Sequence, residues 1–211
     1  MYQIIRTTPA PPGQQPQING NSPEKGNTGM RISDDRYSRD RLKLDLALRL
    51  LRHEARTCTI QHITGLSGDR IRKLYRAYVM QEAPIRLLRH RGKAPRQSSW
   101  FLRNAEVRRQ AAVLGGLFAL CGLLDPATDA TAPTLDAGEL FCRAYETYLH
   151  EHAEACISFD HGWCLLLALR GQRGLHFAQC PRCEALGLID RKKPATATCG
   201  WCASPRGLGT H

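Results

Sequence analysis

No stretch of this chain approaches the ~20 consecutive apolar residues that a membrane-spanning helix requires, and no apolar N-terminal segment follows a basic one as in a secretion signal. Both absences lead us to expect a soluble protein, retained in the cytoplasm, with no membrane partner. The motifs of common catalytic chemistries are missing too: there is no P-loop, no dinucleotide-binding glycine pattern, no HExxH and no GxSxG. The eight histidines are scattered. A lone imidazole is no general base without a positioned partner, so His53, His62, His90 and His150 are expected to face solvent or satisfied partners. The chain reads as a non-enzyme without a small-molecule substrate.

Acidic residues are also in short supply: 19 Asp and Glu stand against 30 Lys and Arg, a formal charge of +11. The imbalance is local. Residues 31–109 hold 20 basic and 8 acidic side chains, a net of +12, and the remainder of the chain is close to neutral at −1. A confined basic block is the electrostatic footprint of a polyanion partner, since each neutralised phosphate releases a counterion. The competing reading is a solvated, arginine-rich helix surface.

What the chain does have is a pair of cysteine knuckles. Cys180-Pro181-Arg182-Cys183 is followed after fifteen residues by Cys199-Gly200-Trp201-Cys202. Each knuckle offers two sulfurs, and the connection is long enough to bring them together, which is the spacing of a structural four-cysteine zinc site with one ion per chain. Protein ligands would fill all four positions, leaving none for water or substrate, so the metal is expected to be structural. A redox pair at Cys180 and Cys183 is the other reading, but it should open a helix after a strand, and no such pattern precedes it. Cys58, Cys121, Cys142, Cys156 and Cys164 stand singly among apolar residues and read as small core hydrophobes. Nine cysteines without a secretion signal suit a reducing compartment.

Residues 1 to about 32 are rich in Pro, Gly, Gln and Asn, too poor in large apolar residues to offset the entropy of ordering, and are expected to be a disordered extension. From Tyr37 to Arg56 leucines crowd the sequence while Arg41, Asp45, Arg49 and Arg52 recur at helical spacing, predicting a helix with one narrow polar face. So wide an apolar arc fits either a central helix buried in its own domain or one that meets another chain. Next, Thr57 is placed to cap a short helix carrying Cys58, Ile60 and Ile63, Gly65 permits a left-handed turn, and Ser67 is placed to cap a second helix. This is a helix-turn-helix outline. In the second helix Ile71, Leu74, Tyr75, Tyr78 and Val79 make the core side, leaving Arg70, Arg72, Lys73 and Arg76 outward as candidate DNA contacts. After Pro84, a basic linker with Arg86, Arg89, Arg91 and Lys93 can track a phosphate backbone.

Three further helices are expected at about 100–124, 136–152 and 159–170, with Tyr145, Tyr148, Leu149, Trp163, Leu166, Leu167 and Leu169 facing the core. The metal knob follows at about 175–203, where Trp201 either packs on the metal site or stacks on a ligand. The resulting fold class is mainly α: a multi-helix body with a helix-turn-helix-like element and a small zinc-ribbon-like four-cysteine module. The corresponding units are residues 1–32 (extension), 33–172 (helical body), 173–203 (metal module) and 204–211 (tail).

Several segments taken in order carry a resemblance: Leu66-Ser67-Gly68-Asp69-Arg70-Ile71-Arg72-Lys73-Leu74-Tyr75, Ser99-Trp100-Phe101, the stretch from Arg143 to Leu149, the stretch from Trp163 to Leu169, and the terminal knuckles. From about Tyr37 to Cys202 the chain resembles the FlhC family, subunits of the bacterial flagellar master regulator. The resemblance implies a transcriptional activator that works in a hetero-oligomer with FlhD, binds promoter DNA upstream of flagellar and related genes, engages RNA polymerase, and holds zinc through Cys180, Cys183, Cys199 and Cys202. The chain departs from the family in its Pro-rich N-terminal extension and in carrying only Arg206 after Cys202, where family members can have a longer basic tail. A zinc-ribbon protein that binds RNA is the alternative reading of the same charge, and a thiol oxidoreductase built on Cys180 and Cys183 is the third.

Overall fold

The leucine-rich segment forms a long helix, α1 (Thr28–Arg52), in a computed structural model that describes residues 28–79, 90, 92–125, 134–171, 174–190 and 199–203. It begins inside the stretch read as an extension, whose first 27 residues lie outside the described ones, as do residues 204–211. It ends at Arg52 rather than Arg56, because Glu54 adopts φ 58° and closes the helix: its N–H donates to Leu51 O at 3.0 Å and that of Ala55 to Leu50 O at 3.1 Å. A non-glycine residue in this conformation is uncommon. From Leu46 onward the helix buries Leu46, Ala47, Leu50 and Leu51, whereas Tyr37 and Leu42, earlier in it, are 74% and 59% exposed. The wide apolar arc is therefore divided along its length.

Two short helices follow, α2 (Thr57–Thr64) and α3 (Gly68–Leu74). Gly65 turns the chain between them at φ 70°, and Ser67 caps α3 by accepting from the Arg70 N–H. The expected cap at Thr57 is not found: Arg56 occupies the N-cap position without a capping hydrogen bond from its side chain, and Thr57 is the first helical residue. α3 runs on into a single π turn, Tyr75–Val79. This change of winding carries Tyr78 out of the expected core side to 50% exposure, while Ile71 and Leu74 are buried.

The expected 100–124 helix is split. A 3₁₀ turn, Ser98–Leu102, leads to α4 (Ala105–Leu120), because Asn104 caps α4 by accepting from the Val107 N–H at 2.8 Å. Gly122, at φ 71°, closes α4 with Leu123 N–H donating to Phe118 O at 2.9 Å. Thr134 caps α5 (Leu135–Glu151) and Ser158 caps α6 (Phe159–Arg170). A two-stranded antiparallel hairpin completes the described chain, β1 (Leu175–Gln179) and β2 (Leu186–Asp190), with Leu175 opposite Asp190 and Gln179 opposite Leu186. No helix among the described residues is long and apolar enough to cross a membrane.

α5 is central, packing against α1, α2, α4 and α6. Phe141 on its buried face stacks on Phe118 with centroids 5.3 Å apart and meets Phe159 and Trp163 edge-on, each at 5.0 Å. Close approach to α1 and α2 is possible because position 138 is glycine: a Cβ there would lie 2.6 Å from Ile63 Cγ2 and 2.9 Å from Leu46 Cδ2. Leu149, near the end of α5, is 38% exposed and faces solvent rather than the core.

One buried polar group organises the α5–α6 connection. Gln110 of α4 donates through Nε2 to Glu106 Oε1 at 2.6 Å and to Glu154 O at 3.1 Å. Its Oε1 accepts from the Tyr148 hydroxyl and from the Cys156 N–H at 3.0 Å. Its side-chain amide is thereby satisfied on both atoms, as burial requires. Tyr145 adds a hydrogen bond from its hydroxyl to Ile157 O at 3.0 Å.

Arg49, on the narrow polar face expected of α1, clamps α1 to α5. Its Nε and Nη2 donate to the two oxygens of Glu146 at 2.8 and 2.6 Å, and Nη1 bonds Glu139. His53 Nε2 lies 2.8 Å from Glu146 Oε1, with its ring stacked on Phe159. These hydrogen bonds, Arg49 first, hold the Glu146 carboxyl down from 4.5 to about 2. A depressed carboxyl stabilises the fold above the unfolded value near 4.5, and that contribution is lost as pH falls through about 2. Glu146→Gln should therefore flatten the loss of stability across this acid window, as read by chemical denaturation at a series of pH values. An acid limb as steep as that of the wild type would contradict the assignment.

Candidate functional site

The first knuckle forms at the tip of the β1–β2 hairpin. Cys180 N–H donates to Ala185 O at 3.0 Å, Glu184 N–H returns to Cys180 O at 2.8 Å, and Glu184 takes φ 58° to reverse the chain. The second knuckle repeats the turn, with Ala203 N–H donating to Cys199 O at 3.0 Å and Cys202 N–H to Cys199 Sγ at 3.4 Å. Residues 191–198 between them lie outside the described residues.

The structure brings all four sulfurs together, within 4.8 Å of one another. Cys183 and Cys199 Sγ are 3.4 Å apart, and Cys180 and Cys202 Sγ 4.0 Å apart. A disulfide would require about 2.05 Å, and all four thiols are free. A tetrahedral ion bonded to four thiolates at about 2.3 Å separates the sulfurs by about 3.8 Å, so the cluster matches the size of a closed S₄ site. The electrostatics fit a cation as well. Backbone N–H groups of Arg182 and Cys183 draw the Cys180 thiol down to about 6. Cys202 is pushed up to about 12, first by the neighbouring Cys183 sulfur. Crowded sulfurs resist accumulating negative charge, and a bound cation removes that obstacle. The first CxxC lies at a hairpin tip, not where a strand runs into a helix, which disfavours the thioredoxin-type reading.

The second knuckle docks on α4 through backbone. A Cβ at Gly200 would lie 2.7 Å from both Ala105 O and Arg109 N. Beside it the Arg109 guanidinium carbon sits 5.4 Å from the Trp201 ring centroid, so Trp201 packs on α4 while remaining 39% exposed. The hairpin docks further along the same helix, where Phe177 of β1 covers Gly115 so closely that a Cβ would meet its Cζ at 2.7 Å. Nothing in the sequence marks Gly200, Arg109 and Gly115 as contact residues, because their roles lie in what approaches them.

Arg70, Arg72, Lys73 and Arg76 are all exposed along α3 and its π turn, opposite buried Ile71 and Leu74. Arg70 pairs with Asp40 of α1 at 3.3 Å and Arg72 with Asp69. Lys93 is exposed, and its backbone oxygen accepts from Arg56 Nη1 at 2.7 Å. Arg86, Arg89 and Arg91 lie outside the described residues. Of the other cysteines, Cys142 and Cys164 are buried as expected, but Cys58 is exposed, because it occupies the outer side of α2 opposite Ile60 and Ile63. His90 pairs with Glu54 at 3.2 Å, His62 is exposed with its ring 5.9 Å from that of Trp163, and His150 is exposed beside Glu151. No protein-family model matches the chain, and no curated protein does.

Two variants separate ligation from docking. Cys199→Ser should lose stoichiometric metal and the near-UV circular dichroism of the module; full metal content with an unchanged near-UV signal would refute the site. Gly200→Ala should retain the metal but destabilise the docked knuckle by about 1–3 kcal/mol, the usual cost of forcing a group into packed backbone. Its signature is faster amide exchange at Gly200 to Ala203, and wild-type protection there would contradict the packing argument.

Proposed function

We propose that the chain is a DNA-binding subunit of a transcriptional activator, non-enzymatic and cytoplasmic, in which one zinc ion braces the C-terminal module. The observation that carries this reading is the basic face of α3: four cationic side chains exposed on a helix whose opposite side is anchored by Ile71 and Leu74. The α2–Gly65–α3 unit is read as a helix-turn-helix with α3 entering the major groove. Arg70 and Arg72 are held in exposed ion pairs with carboxylates. Phosphate can replace such partners at little cost, since exposed ion pairs contribute little to stability.

Zinc is the ion best suited to the four-thiolate set, and in a module with so little core its binding free energy is folding free energy. Tyr37, Leu42 and Tyr78, exposed at 74%, 59% and 50%, support a contact with another chain. Taken with the resemblance given above, this supports a hetero-oligomer of the FlhC–FlhD kind acting at flagellar or related promoters with RNA polymerase.

The test is a titration of the assembly purified from its native host, with a promoter duplex competing against single-stranded RNA at matched salt. Preference for duplex is expected, and preference for RNA would transfer the proposal to RNA binding. Lys73→Gln with Arg76→Gln should weaken duplex binding and lower the slope of log K against log salt by about 2. An unchanged slope would remove α3 from the interface.

A further inference from the structure

A cavity of about 600 Å³ opens between α2, α6 and the loop 92–98, a size within the ~300–1,000 Å³ range of small-molecule sites. Its α6 wall is largely apolar, formed by Trp163, Cys164, Leu167 and Ala168, and Pro95 lines the loop side. The polar groups divide into two sets. Asp160 is only 6% exposed and already satisfied: it accepts from Thr59 Oγ1 at 2.6 Å and from the Arg56 N–H at 3.3 Å, with Arg56 Nε 3.6 Å away. Lys93 and Arg96 line the same cavity, are exposed, and have no carboxylate within ion-pair distance among the described residues.

The cavity is also held open by the fold. Arg56 contacts Asp160 of α6 on one side and donates from Nη1 to Lys93 O of the loop at 2.7 Å on the other. That bridge sets the distance between loop and helix before any ligand enters, which lowers the ordering cost of binding. A cationic ligand would meet two uncompensated positive charges. A polyphosphate would leave most of its charge against apolar wall. A single negative charge on an apolar body satisfies both halves of the lining.

We propose that this cavity binds a small amphipathic carboxylate, its ring or branched body against Trp163 and Leu167 and its anionic group held by Lys93 and Arg96. Because Cys58, Thr59 and His62 of α2 also line the cavity, the ligand touches the helix that precedes α3. It is a ligand, not a substrate; it shares Lys93 with the basic linker expected to track a phosphate backbone, and none of the four α3 cations lines the cavity.

The test uses the full chain with 2-naphthoate and its neutral isostere 2-naphthamide, followed by calorimetric titration. One-to-one saturation by naphthoate is expected, with naphthamide weaker by about tenfold, the scale of one partly desolvated charge interaction. Lys93→Gln combined with Arg96→Gln alters two exposed side chains and should abolish the difference between acid and amide. Peptide mapping locates the site independently: bound naphthoate should slow alkylation of Cys58 by iodoacetamide. Lack of saturable binding, equal affinity for acid and amide in the wild type, or an alkylation rate at Cys58 indifferent to naphthoate would each overturn the proposal.

Discussion

The helical body depends on the burial of one face of α5. Phe141 is fully buried where α4, α5 and α6 meet, with Phe118, Phe159 and Trp163 arranged around its ring. Aromatic residues make up only 7% of the chain, so their concentration here gives a small set of side chains a large share of the core. Glycine at position 138, one turn from Phe141, lets α1 and α2 reach the same helix. The orientation of α3 follows, since α2 is seated on α5 and Gly65 and Ser67 set the angle at which α3 leaves it.

The C-terminal module is organised on a different principle. A five-residue hairpin pair and a second knuckle bury few large side chains, and their tips converge on four sulfurs close enough together to hold a metal ion. The module is nevertheless attached to the body with close tolerances. Gly115 and Gly200 bring hairpin and second knuckle against the same helix, α4, whose Gln110 also pins the α5–α6 connection. α4 thus relates the four-cysteine cluster to the helical core.

Local features were legible from the chain alone. Each CxxC knuckle, the Ser67 cap, the Gly65 turn and the basic face of α3 depend on residues within about one or two helical turns, where backbone geometry fixes neighbours. The misreadings share a cause. Thr57 has the chemistry of a cap, but the helix starts one residue earlier, and which residue is the N-cap depends on how α2 seats against its neighbours. Tyr78 has core spacing for an α-helix, and the π turn from Tyr75 moved it to the surface. Arg49 lies on the polar face as its spacing requires, but nothing in the spacing shows that α5 presents Glu139 and Glu146 to it.

Sequence by itself determined the sulfur set, the basic block and the succession of helices, because these follow from residue chemistry and from periodicity along a single segment. Tertiary structure decided the rest: that Arg49 finds Glu146 97 positions away, that Gly200 is a contact residue rather than a spacer, and that Arg56 bridges Asp160 and Lys93 across a cavity. Periodicity states which face of an element must be covered. What covers it, and how closely, is set only when separate elements pack.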